Sequence, residues 1–228
     1  MIVRRFEGLR LVVPPGVYAP REDTALLIAA LPEVAGADVL ELCAGTGAVA
    51  LTAARRGAAR VIAVDRCGRA VAAVGVNAQL NRVARVKGRR GDLFDALLPG
   101  QRFDLIVANP PYLPAAVDRD PRWDAGTDGR AVLDRIVAGA SAHLRPGGRL
   151  VVVQSGLAGI EQTAIGLAQA GLEVAAPDEH HGPLGPLAAA RRGHLERIGL
   201  LAPGVDEERM AILVATAPTA APDAAVAA

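Results

Sequence analysis

One strand-to-turn segment sets the architecture of this chain: Val39-Leu40-Glu41-Leu42-Cys43-Ala44-Gly45-Thr46-Gly47. Its apolar half predicts a short buried strand, and the Ala-rich stretch Ala48–Arg56 after it predicts a helix that Gly57 ends. A strand that leads through a glycine turn into a helix is typical of a parallel α/β sheet. Glycines in such a turn let the backbone approach a ligand and direct helix N–H groups towards it.

Strand-like and helix-like segments alternate from about residue 37 onward. The predicted strands are Asp38–Cys43, Arg60–Val64, Val83–Arg89, Phe103–Ala108, Leu150–Val153, Leu172–Ala175 and Met210–Ala215. The predicted helices are Ala48–Arg56, Arg69–Leu80, Arg130–Leu144 and Leu157–Ala170. This alternation predicts a Rossmann-like α/β fold, with a seven-stranded, mostly parallel sheet and helices on both of its faces. The long segment 177–208 leaves room for the last strand to run in reverse.

The composition restricts the class of protein. With 228 residues, of which 51% are hydrophobic, the chain can bury one large core, and its net charge of +1 does not imply a surface for polyanions. Cys43 and Cys67 cannot form a disulfide framework, and no Cys or His cluster has zinc-site spacing, so we expect no metal. The start of the chain lacks the apolar core of a signal peptide, and no apolar run reaches membrane-spanning length. These features predict a cytoplasmic protein that contacts no membrane.

Acidic residues stand near the ends of three predicted strands, where an open parallel sheet binds its ligands. Asp65 follows the second strand, and its carboxylate can accept both ribose hydroxyls of a nucleotide-like cofactor. Glu41 can receive an ammonium group but would repel a pyrophosphate, which favours S-adenosylmethionine over NAD. Asp92, in Gly91-Asp92-Leu93-Phe94, either accepts from an adenine amino group or is a simple turn or cap residue.

The tetrapeptide Asn109-Pro110-Pro111-Tyr112 directly follows the strand Phe103–Ala108, and we call it the clamp. Its prolines restrict the backbone, and the residue before a proline is held extended. The side-chain carbonyl of Asn109 and the backbone carbonyl of Pro110 can each accept one N–H of a planar –NH2 group. Pro111 and Tyr112 can cover the flat face of that group. Together with the glycine turn, the clamp predicts a methyltransferase that acts on a conjugated nitrogen.

These segments carry a resemblance to a known family. Residues 20–155 resemble the class I S-adenosylmethionine-dependent methyltransferases and, within them, the HemK-type protein-glutamine methyltransferases. The matching segments are Val39–Gly47, Asp65, Gly91–Phe94, Asn109–Tyr112 and Asp128-Gly129-Arg130. The resemblance implies the class I methyltransferase fold and S-adenosylmethionine as the cofactor. It also implies that catalysis depends on Asn109, Pro110, Pro111 and Tyr112.

The resemblance further implies which residues bind the cofactor. They are Thr24, Glu41, Cys43, Ala44, Gly45, Gly47, Asp65, Arg66, Asp92, Leu93 and Asn109. Thr24 belongs, with Pro20, Glu22 and Asp23, to a segment that would start a helix covering the cofactor. A Pro-led helix start with acids at its positive end explains the same segment equally well. The family usually has Gly where Cys43 stands, so the turn of this chain is less open.

Residues 17–27 resemble the opening of a short branch of the family, which lacks the helical N-terminal domain of the longer bacterial release-factor enzymes. We expect three parts. They are an N-terminal extension with a cofactor-lid helix at 1–36, the methyltransferase domain at 37–216, and a disordered Ala/Pro-rich tail at 217–228. Members of this branch in other lineages work with a small partner protein, so a partner subunit stays an open alternative.

Three functions are compatible with the sequence. The resemblance favours methylation of a glutamine side-chain amide in a protein such as a translation release factor. The first alternative is an N(6)-adenine methyltransferase on RNA or DNA, because an adenine amino group is also planar and conjugated. Such an enzyme must extract a base and bind phosphates. The second alternative is a cofactor-binding partner subunit without catalysis, which Cys43 favours and the intact Asn109 and Tyr112 disfavour.

Two further groups of residues leave alternatives open. His180, His181 and His194 lie in the segment 177–208, which we call the insertion. They either serve a metal or catalytic role or belong to a surface loop beside the substrate groove, and we expect the loop role. Arg122 and Trp123 follow the clamp, and they either hold a peptide or pack their loop against the sheet.

Overall fold

A β-hairpin opens the chain in the computed structural model, which describes residues 2–117 and 120–219. Strands β1 (Ile2–Phe6) and β2 (Leu9–Val13) pair antiparallel, and helix α1 (Glu22–Ala29) follows them. The hairpin is absent from the sequence prediction. Strand β1 is exposed along nearly its whole length, so its residues lack the alternation of buried and exposed positions that identifies a strand.

The remaining strands form one sheet. They are β3 (Asp38–Leu42), β4 (Arg60–Asp65), β5 (Val86–Arg90), β6 (Phe103–Ala108), β7 (Leu144–Ser155), β8 (Glu173–Val174), β9 (Asp178–Pro183) and β10 (Glu207–Thr216). Their order is β5-β4-β3-β6-β7-β10-β8, with β9 also paired to β10. Strands β3 to β7 are mutually parallel, whereas β10 runs antiparallel to its three neighbours. The predicted α/β fold with a reversed last strand is confirmed.

The helices connect and cover these strands. They are α2 (Ala48–Arg55), α3 (Gly68–Leu80), α4 (Leu133–His143), α5 (Ile160–Gln169), α6 (Pro186–Ala189) and α7 (Arg192–Arg197). The described sheet has eight strands, one more than predicted. The additional strand, β9, lies along β10 on the same edge as β8. Its sequence, Asp178-Glu179-His180-His181-Gly182-Pro183, is polar and therefore carries no strand pattern.

Alternate residues of the central strands face opposite sides of the sheet, and both sides are buried. Val39 of β3 and Val107 of β6 belong to the core cluster that contains α2 and the start of the chain. Leu40 and Ile106 belong to the cluster beneath α4 and α5. Strands covered on both faces are expected to be continuously apolar, and these are. This burial fixes the carboxyl ends of β3, β4 and β6, which carry the predicted ligand residues.

A third, smaller apolar cluster lies under the insertion. It contains Leu113, Leu157, Ala188, Leu195 and Leu201, with Trp123 packed against it. The insertion therefore folds onto the loop that follows the clamp. Among residues 2–117 and 120–219, no helix is long and apolar enough to cross a membrane. The predicted tail lies outside the described residues from position 220 onward.

Candidate active site

A cavity of about 950 Å³ opens at the carboxyl ends of β3, β4 and β6. Of the predicted site residues, those that line it are Cys43, Gly45, Asp65, Arg66, Asp92, Leu93, Asn109, Pro110, Pro111 and Tyr112. One part of the cavity, which we call the turn half, adjoins the glycine turn and β4. The other part, the insertion half, is bounded by the loop after the clamp and by the insertion. The clamp residues line the same cavity as both groups.

A small recess of about 20 Å³ lies beside the turn half. Among the residues lining it are Thr24, Glu41 and Ala44, together with Asn109, which also lines the large cavity. Gly47 lines neither space. It is instead the residue before helix α2, where its φ of 78° begins the helix. The structure thus gathers the predicted residues around two adjoining spaces, with Gly47 behind them.

The glycine turn has a left-handed backbone at Gly45 and also at Cys43, whose φ angles are 52° and 56°. Glycine adopts this conformation without steric cost, whereas a residue with a Cβ is strained in it. This backbone explains why glycine suits the position of Cys43. Burial raises the pKa of the Cys43 thiol, with a smaller contribution from the nearby Asp65, so the thiol stays protonated at neutral pH.

Two backbone N–H groups hold the carboxylate of Asp65 at the end of β4. Oδ2 accepts from Gly45 at 2.8 Å, and Oδ1 accepts from Cys67 at 2.8 Å. Burial raises the pKa of Asp65, and these two hydrogen bonds act in the opposite direction. Each oxygen keeps a second lone pair for a further donor. A cofactor with two ribose hydroxyls in the turn half would find both acceptors already oriented.

Glu41 is 4% exposed and faces the start of helix α2. Its Oε2 accepts from the N–H of Ala50 at 3.0 Å. Burial raises the pKa of Glu41 to about 8, so the group holds a proton at neutral pH. An ammonium group in the adjoining recess would favour the ionised form, because opposite charges stabilise each other at low dielectric. The chemistry of this acid therefore fits the methionine end of S-adenosylmethionine.

Asp92 lies at the rim of the cavity and already has a cationic partner. Its carboxylate accepts from Arg135 of α4 at 2.9 Å, and both side chains are about half exposed. Leu93, the next residue, is buried and has a φ of 49°. An apolar contact from Leu93 and a carboxylate at the rim suit an adenine ring. The hydrogen bond from an adenine amino group to Asp92 stays a prediction.

Two hydrogen bonds join helix α1 to the clamp. Nδ2 of Asn109 donates to Oγ1 of Thr24 at 3.2 Å, and the hydroxyl of Tyr112 donates to Oδ2 of Asp23 at 3.0 Å. Because Nδ2 points to Thr24, the amide oxygen of Asn109 lies on the opposite side of its carboxamide. The proposed acceptor of the clamp is therefore oriented by α1.

The position of Tyr112 is also fixed from behind. Gly129 lies against the backbone of this residue with a φ of 77°. A Cβ on Gly129 would lie 2.3 Å from the carbonyl oxygen of Tyr112. Only glycine fits this contact. The Asp128-Gly129-Arg130 segment thus supports the clamp from outside the cavity.

Asp23 is the main residue that the sequence analysis did not assign to the site. It is 8% exposed, and its Oδ2 accepts from the hydroxyls of both Tyr18, at 2.8 Å, and Tyr112. Burial raises the pKa of both tyrosines, and the facing carboxylate of Asp23 raises it further. The sequence signals only an acid in a helix first turn, so the link to Tyr112, 89 residues away, is visible only in the structure.

The insertion half brings together the residues whose roles the sequence left open. Trp123 packs against the third apolar cluster, while Arg122 lies over its ring at 4.1 Å from the centroid. His180 and His181 are on β9 and line the cavity, whereas His194 is on α7. In the described part of the chain no group of three or more His, Cys, Asp or Glu could hold a metal ion. Trp123 thus packs its loop against that cluster and also lines the cavity, and two of the histidines flank the insertion half.

Comparison with known proteins connects this geometry to a family. Residues 8–178 match the family described as Methyltransferase small domain. A protein of Methanocaldococcus jannaschii, named as a candidate protein N5-glutamine methyltransferase, is 36% identical over 179 residues, covering 76% of this chain and 89% of the relative. The release factor glutamine methyltransferase of Xylella fastidiosa strain Temecula1 is 37% identical over 164 residues, covering 65% of this chain. This chain spans only 59% of the length of that relative.

Solved structures share the fold. The 16S rRNA N2 G1207 methyltransferase RsmC of T. thermophilus, solved with AdoMet and guanosine, aligns with a TM-score of 0.64 and 26% identity, covering 95% of this chain and 50% of RsmC. The Mtq2–Trm112 complex of E. cuniculi, described as responsible for methylating the eRF1 termination factor, aligns with a TM-score of 0.61 and 20% identity. It covers 89% of this chain and 99% of that one, and at this identity it supports the fold alone. The predicted resemblance is confirmed: this chain belongs to the methyltransferase small domain family and is a methyltransferase related to the protein-glutamine methyltransferases.

Proposed function

We propose that this protein transfers a methyl group from S-adenosylmethionine to the side-chain amide nitrogen of a glutamine in a translation release factor. The observation that carries the proposal is the place of the clamp. It lines the same cavity as Asp65 and Gly45 on one side and the insertion on the other, so a planar amide in the clamp would face a cofactor in the turn half. The names of the relatives from Methanocaldococcus and Xylella support the choice of a glutamine amide.

The turn half and the recess suit the parts of S-adenosylmethionine. Asp65 would accept the ribose hydroxyls, Glu41 and Thr24 would face the methionine end, and Asp92 with Leu93 would contact the adenine. Gly45 lines the turn half with a φ of 52°, a left-handed backbone that glycine adopts without strain, and its lack of a Cβ lets the backbone approach the ligand closely. When bound, the cofactor supplies an electrophilic methyl group on a sulfonium.

The clamp residues supply orientation and electronic activation. An amide nitrogen is a poor nucleophile because its lone pair is delocalised into the carbonyl. If the side-chain oxygen of Asn109 and the backbone oxygen of Pro110 each accept one N–H, electron density returns to the nitrogen and its attack direction is fixed. Orientation of this kind can supply about 7–11 kcal/mol of the barrier in well-aligned systems. The amide proton can leave after transfer, so no side chain has to act as a base with a tuned pKa.

The hydrogen bonds from α1 keep this arrangement rigid. Thr24 holds the Asn109 amide, and Asp23 holds the hydroxyl of Tyr112. A fixed Tyr112 can cover the flat face of the substrate amide and exclude water from it. In this proposal α1 positions the clamp, the clamp activates the substrate amide, and the ring of Tyr112 shields that amide from water.

The partners and the compartment belong to the same proposal. We propose a cytoplasmic enzyme whose protein substrate is a release factor. We further propose that it can act together with a small partner subunit. The solved complex of Mtq2 with Trm112 is such a pair, which supports the idea for a chain of similar fold.

The test is transfer of label from radioactive S-adenosylmethionine to purified release factor and to total RNA, assayed side by side. Mass spectrometry then locates the modified residue. Asn109→Ala removes the acceptor, while Asn81→Ala is a matched control, because Asn81 binds only Arg10 and the backbone of α3 among the described contacts. We expect label on one glutamine amide, lost in Asn109→Ala and kept in Asn81→Ala.

A nucleic-acid substrate is the alternative outcome of the same assay. It is favoured by the likeness to the rRNA methyltransferase RsmC, whose name gives N2 of a guanine as its target and which covers 95% of this chain. Label on RNA with none on protein would show that the methylated group is the amino group of a base, either N2 of guanine or N(6) of adenine, and not a glutamine amide. Bound cofactor with no label on either would favour a non-catalytic subunit or a missing partner.

A further inference from the structure

The two walls of the insertion half come from segments far apart in sequence. One wall is the loop after the clamp, residues 113–117 and 120–126, which contributes Leu113 and Trp123. The other wall is the insertion, which contributes Pro183 and Leu187. The loop is closed on itself, because Leu113 donates to the carbonyl of Trp123 at 2.8 Å and Ala125 donates to the carbonyl of Leu113 at 3.2 Å.

Arg191, between α6 and α7, is the polar link between these walls. Its guanidinium donates to the carbonyl oxygen of Pro114 at 3.1 Å and to Oδ1 of Asp124 at 2.5 Å. The side chain of Asp124 is fully buried, and its Oδ2 accepts from the N–H of Asp120 at 2.9 Å. One arginine of the insertion therefore holds both ends of the loop after the clamp.

The ion pair between Arg191 and Asp124 lies in surroundings that exclude water. The ion pair lies beside the third apolar cluster, in which Leu113 and Trp123 of the loop pack with Ala188 and Leu195 of the insertion. Breaking a buried ion pair by removing one partner is destabilising, because the carboxylate then loses a charge-assisted hydrogen bond away from water. The planar guanidinium reaches two acceptors at once, which a lysine ammonium on a flexible stem does less well.

We infer that Arg191 is a positioning residue, which fixes the insertion to the loop after the clamp and thereby sets the width of the insertion half. The occupant of the insertion half is then a peptide segment that presents the amide, and this part of the inference rests on the proposed function. Among the described residues, none that lines the turn half is a hydrogen-bond partner of the Arg191 side chain. Loss of Arg191 should therefore impair use of the substrate and leave binding of the cofactor unchanged.

The test compares Arg191→Gln with Arg192→Gln in the full chain. Arg192 is the matched control, because its partners are the carbonyl of Val205 and the carboxylates of Asp206 and Glu196, all inside the insertion. Trp123, the only tryptophan of the chain, reports on the junction by its fluorescence. Steady-state kinetics with the release factor, and titration with S-adenosylmethionine, report on the two halves of the cavity.

For Arg191→Gln we expect a red-shifted, more strongly quenched Trp123 emission, an unchanged cofactor Kd, and kcat/KM for the protein substrate lower by about ten- to a hundredfold. Arg191→Lys should recover part of this loss, and Arg192→Gln should match the wild type in all three measurements. Should Arg191→Gln fail to fold, Arg191→Lys carries the same comparison at smaller amplitude.

An unchanged Trp123 emission, or unchanged kcat/KM, in Arg191→Gln would overturn the inference. So would a loss of cofactor affinity equal to the loss of kcat/KM, since that would indicate general damage. If the wild-type protein methylates no amide, the proposed function fails separately, because the emission comparison still decides whether Arg191 holds the two walls together.

Discussion

The two halves of the cavity are built by different means. In the turn half, Asp65 and Gly45 are held by hydrogen bonds between residues at the ends of adjacent parallel strands. In the insertion half, the loop after the clamp is held by Arg191, which lies 67 residues from Asp124, and by an apolar cluster. The first arrangement follows from local backbone geometry. The second depends on packing between distant segments, so the two halves should respond differently to substitution.

The largest expected effect comes from the glycine behind the clamp. In Gly129→Ala the new Cβ would lie 2.3 Å from the carbonyl oxygen of Tyr112, at a backbone φ of 77°. The clamp must move, so we expect kcat/KM to fall by about a hundredfold, as a displacement of about 1 Å can produce. The Kd of the cofactor should change little, and isothermal titration with parallel kinetics measures both.

Gly171→Ala is the control for Gly129→Ala. Gly171 also has a positive φ, 81°, but a Cβ there meets no atom within 4 Å. It therefore carries the backbone strain without the contact. Equal losses of activity in the two variants would contradict the assignment of the effect to the clamp.

The next effect concerns the link between α1 and the clamp. Asp23→Asn keeps the shape but replaces one carboxylate oxygen with an N–H donor. The N–H of Thr24 can only donate and keeps the remaining oxygen at the Oδ1 position, so the hydroxyls of Tyr18 and Tyr112 both lose their acceptor at Oδ2. A buried polar group left unpaired costs about 1–3 kcal/mol. We expect kcat to fall by about tenfold or more on that scale. Tyr112→Phe combined with Asp23→Asn should be less than additive, because both remove the same hydrogen bond.

Glu33→Gln is the matched control for Asp23→Asn. Glu33 accepts only from the nearby N–H groups of Val34 and Ala35 among the described contacts, so its loss should leave kcat unchanged. Full additivity of Asp23→Asn and Tyr112→Phe would show that the hydrogen bond between them does not position the ring.

A smaller effect is expected in the turn half. Gly47→Ala places a Cβ 3.0 Å from Cγ2 of Val74, at a φ of 78°. The start of α2 should shift slightly, and the free energy of unfolding should fall by about 1–3 kcal/mol, the usual cost of a strained backbone. We expect a weaker cofactor Kd with kcat at saturating cofactor retained. A fall in kcat with an unchanged cofactor Kd would contradict the expectation that changes in the turn half affect cofactor binding and leave turnover intact.

The last comparison uses Glu41→Gln in the cofactor-free protein and works through the pH dependence of stability. The folded protein holds this proton up to a pKa of about 8, whereas the unfolded chain releases it near 4.5. The stabilising contribution of the protonated form is complete below pH 4.5 and is lost as the pH rises towards 8. Glu41→Gln should remove this decline in urea unfolding measured across the window. An identical decline in both proteins would show that the carboxyl is ionised in the fold.

The turn half was predictable because each signal is local. Glu41, Gly45 and Asp65 were placed by strand ends and spacing, and the structure brings them to one end of the sheet. The prediction did not distinguish Gly47, which supports α2 from behind, from residues that line the cavity. It also did not anticipate that Asp92 has Arg135 as a partner, because a contact between the segment after β5 and α4 leaves no local pattern.

The insertion half was predictable only in outline. The clamp itself was evident from two prolines after a strand, but Asp23 and Arg191 were not. Both are charged residues in helical or turn segments that usually face solvent. Strand β9 was missed for a related reason, since its polar residues are held by pairing with β10 rather than by apolar burial.

The α/β architecture, the glycine turn and the clamp could all be predicted from the sequence, because alternating strand and helix patterns, glycine and proline act through the backbone of a few adjacent residues. The distant side chains that hold the clamp and the loop after it in place became visible only in the folded protein. Asp23 reaches Tyr112 across 89 residues and Arg191 reaches Pro114 across 77, and such contacts exist only after the core has folded. Burial then gives these polar contacts their strength, since a group removed from water must find its partner within the protein.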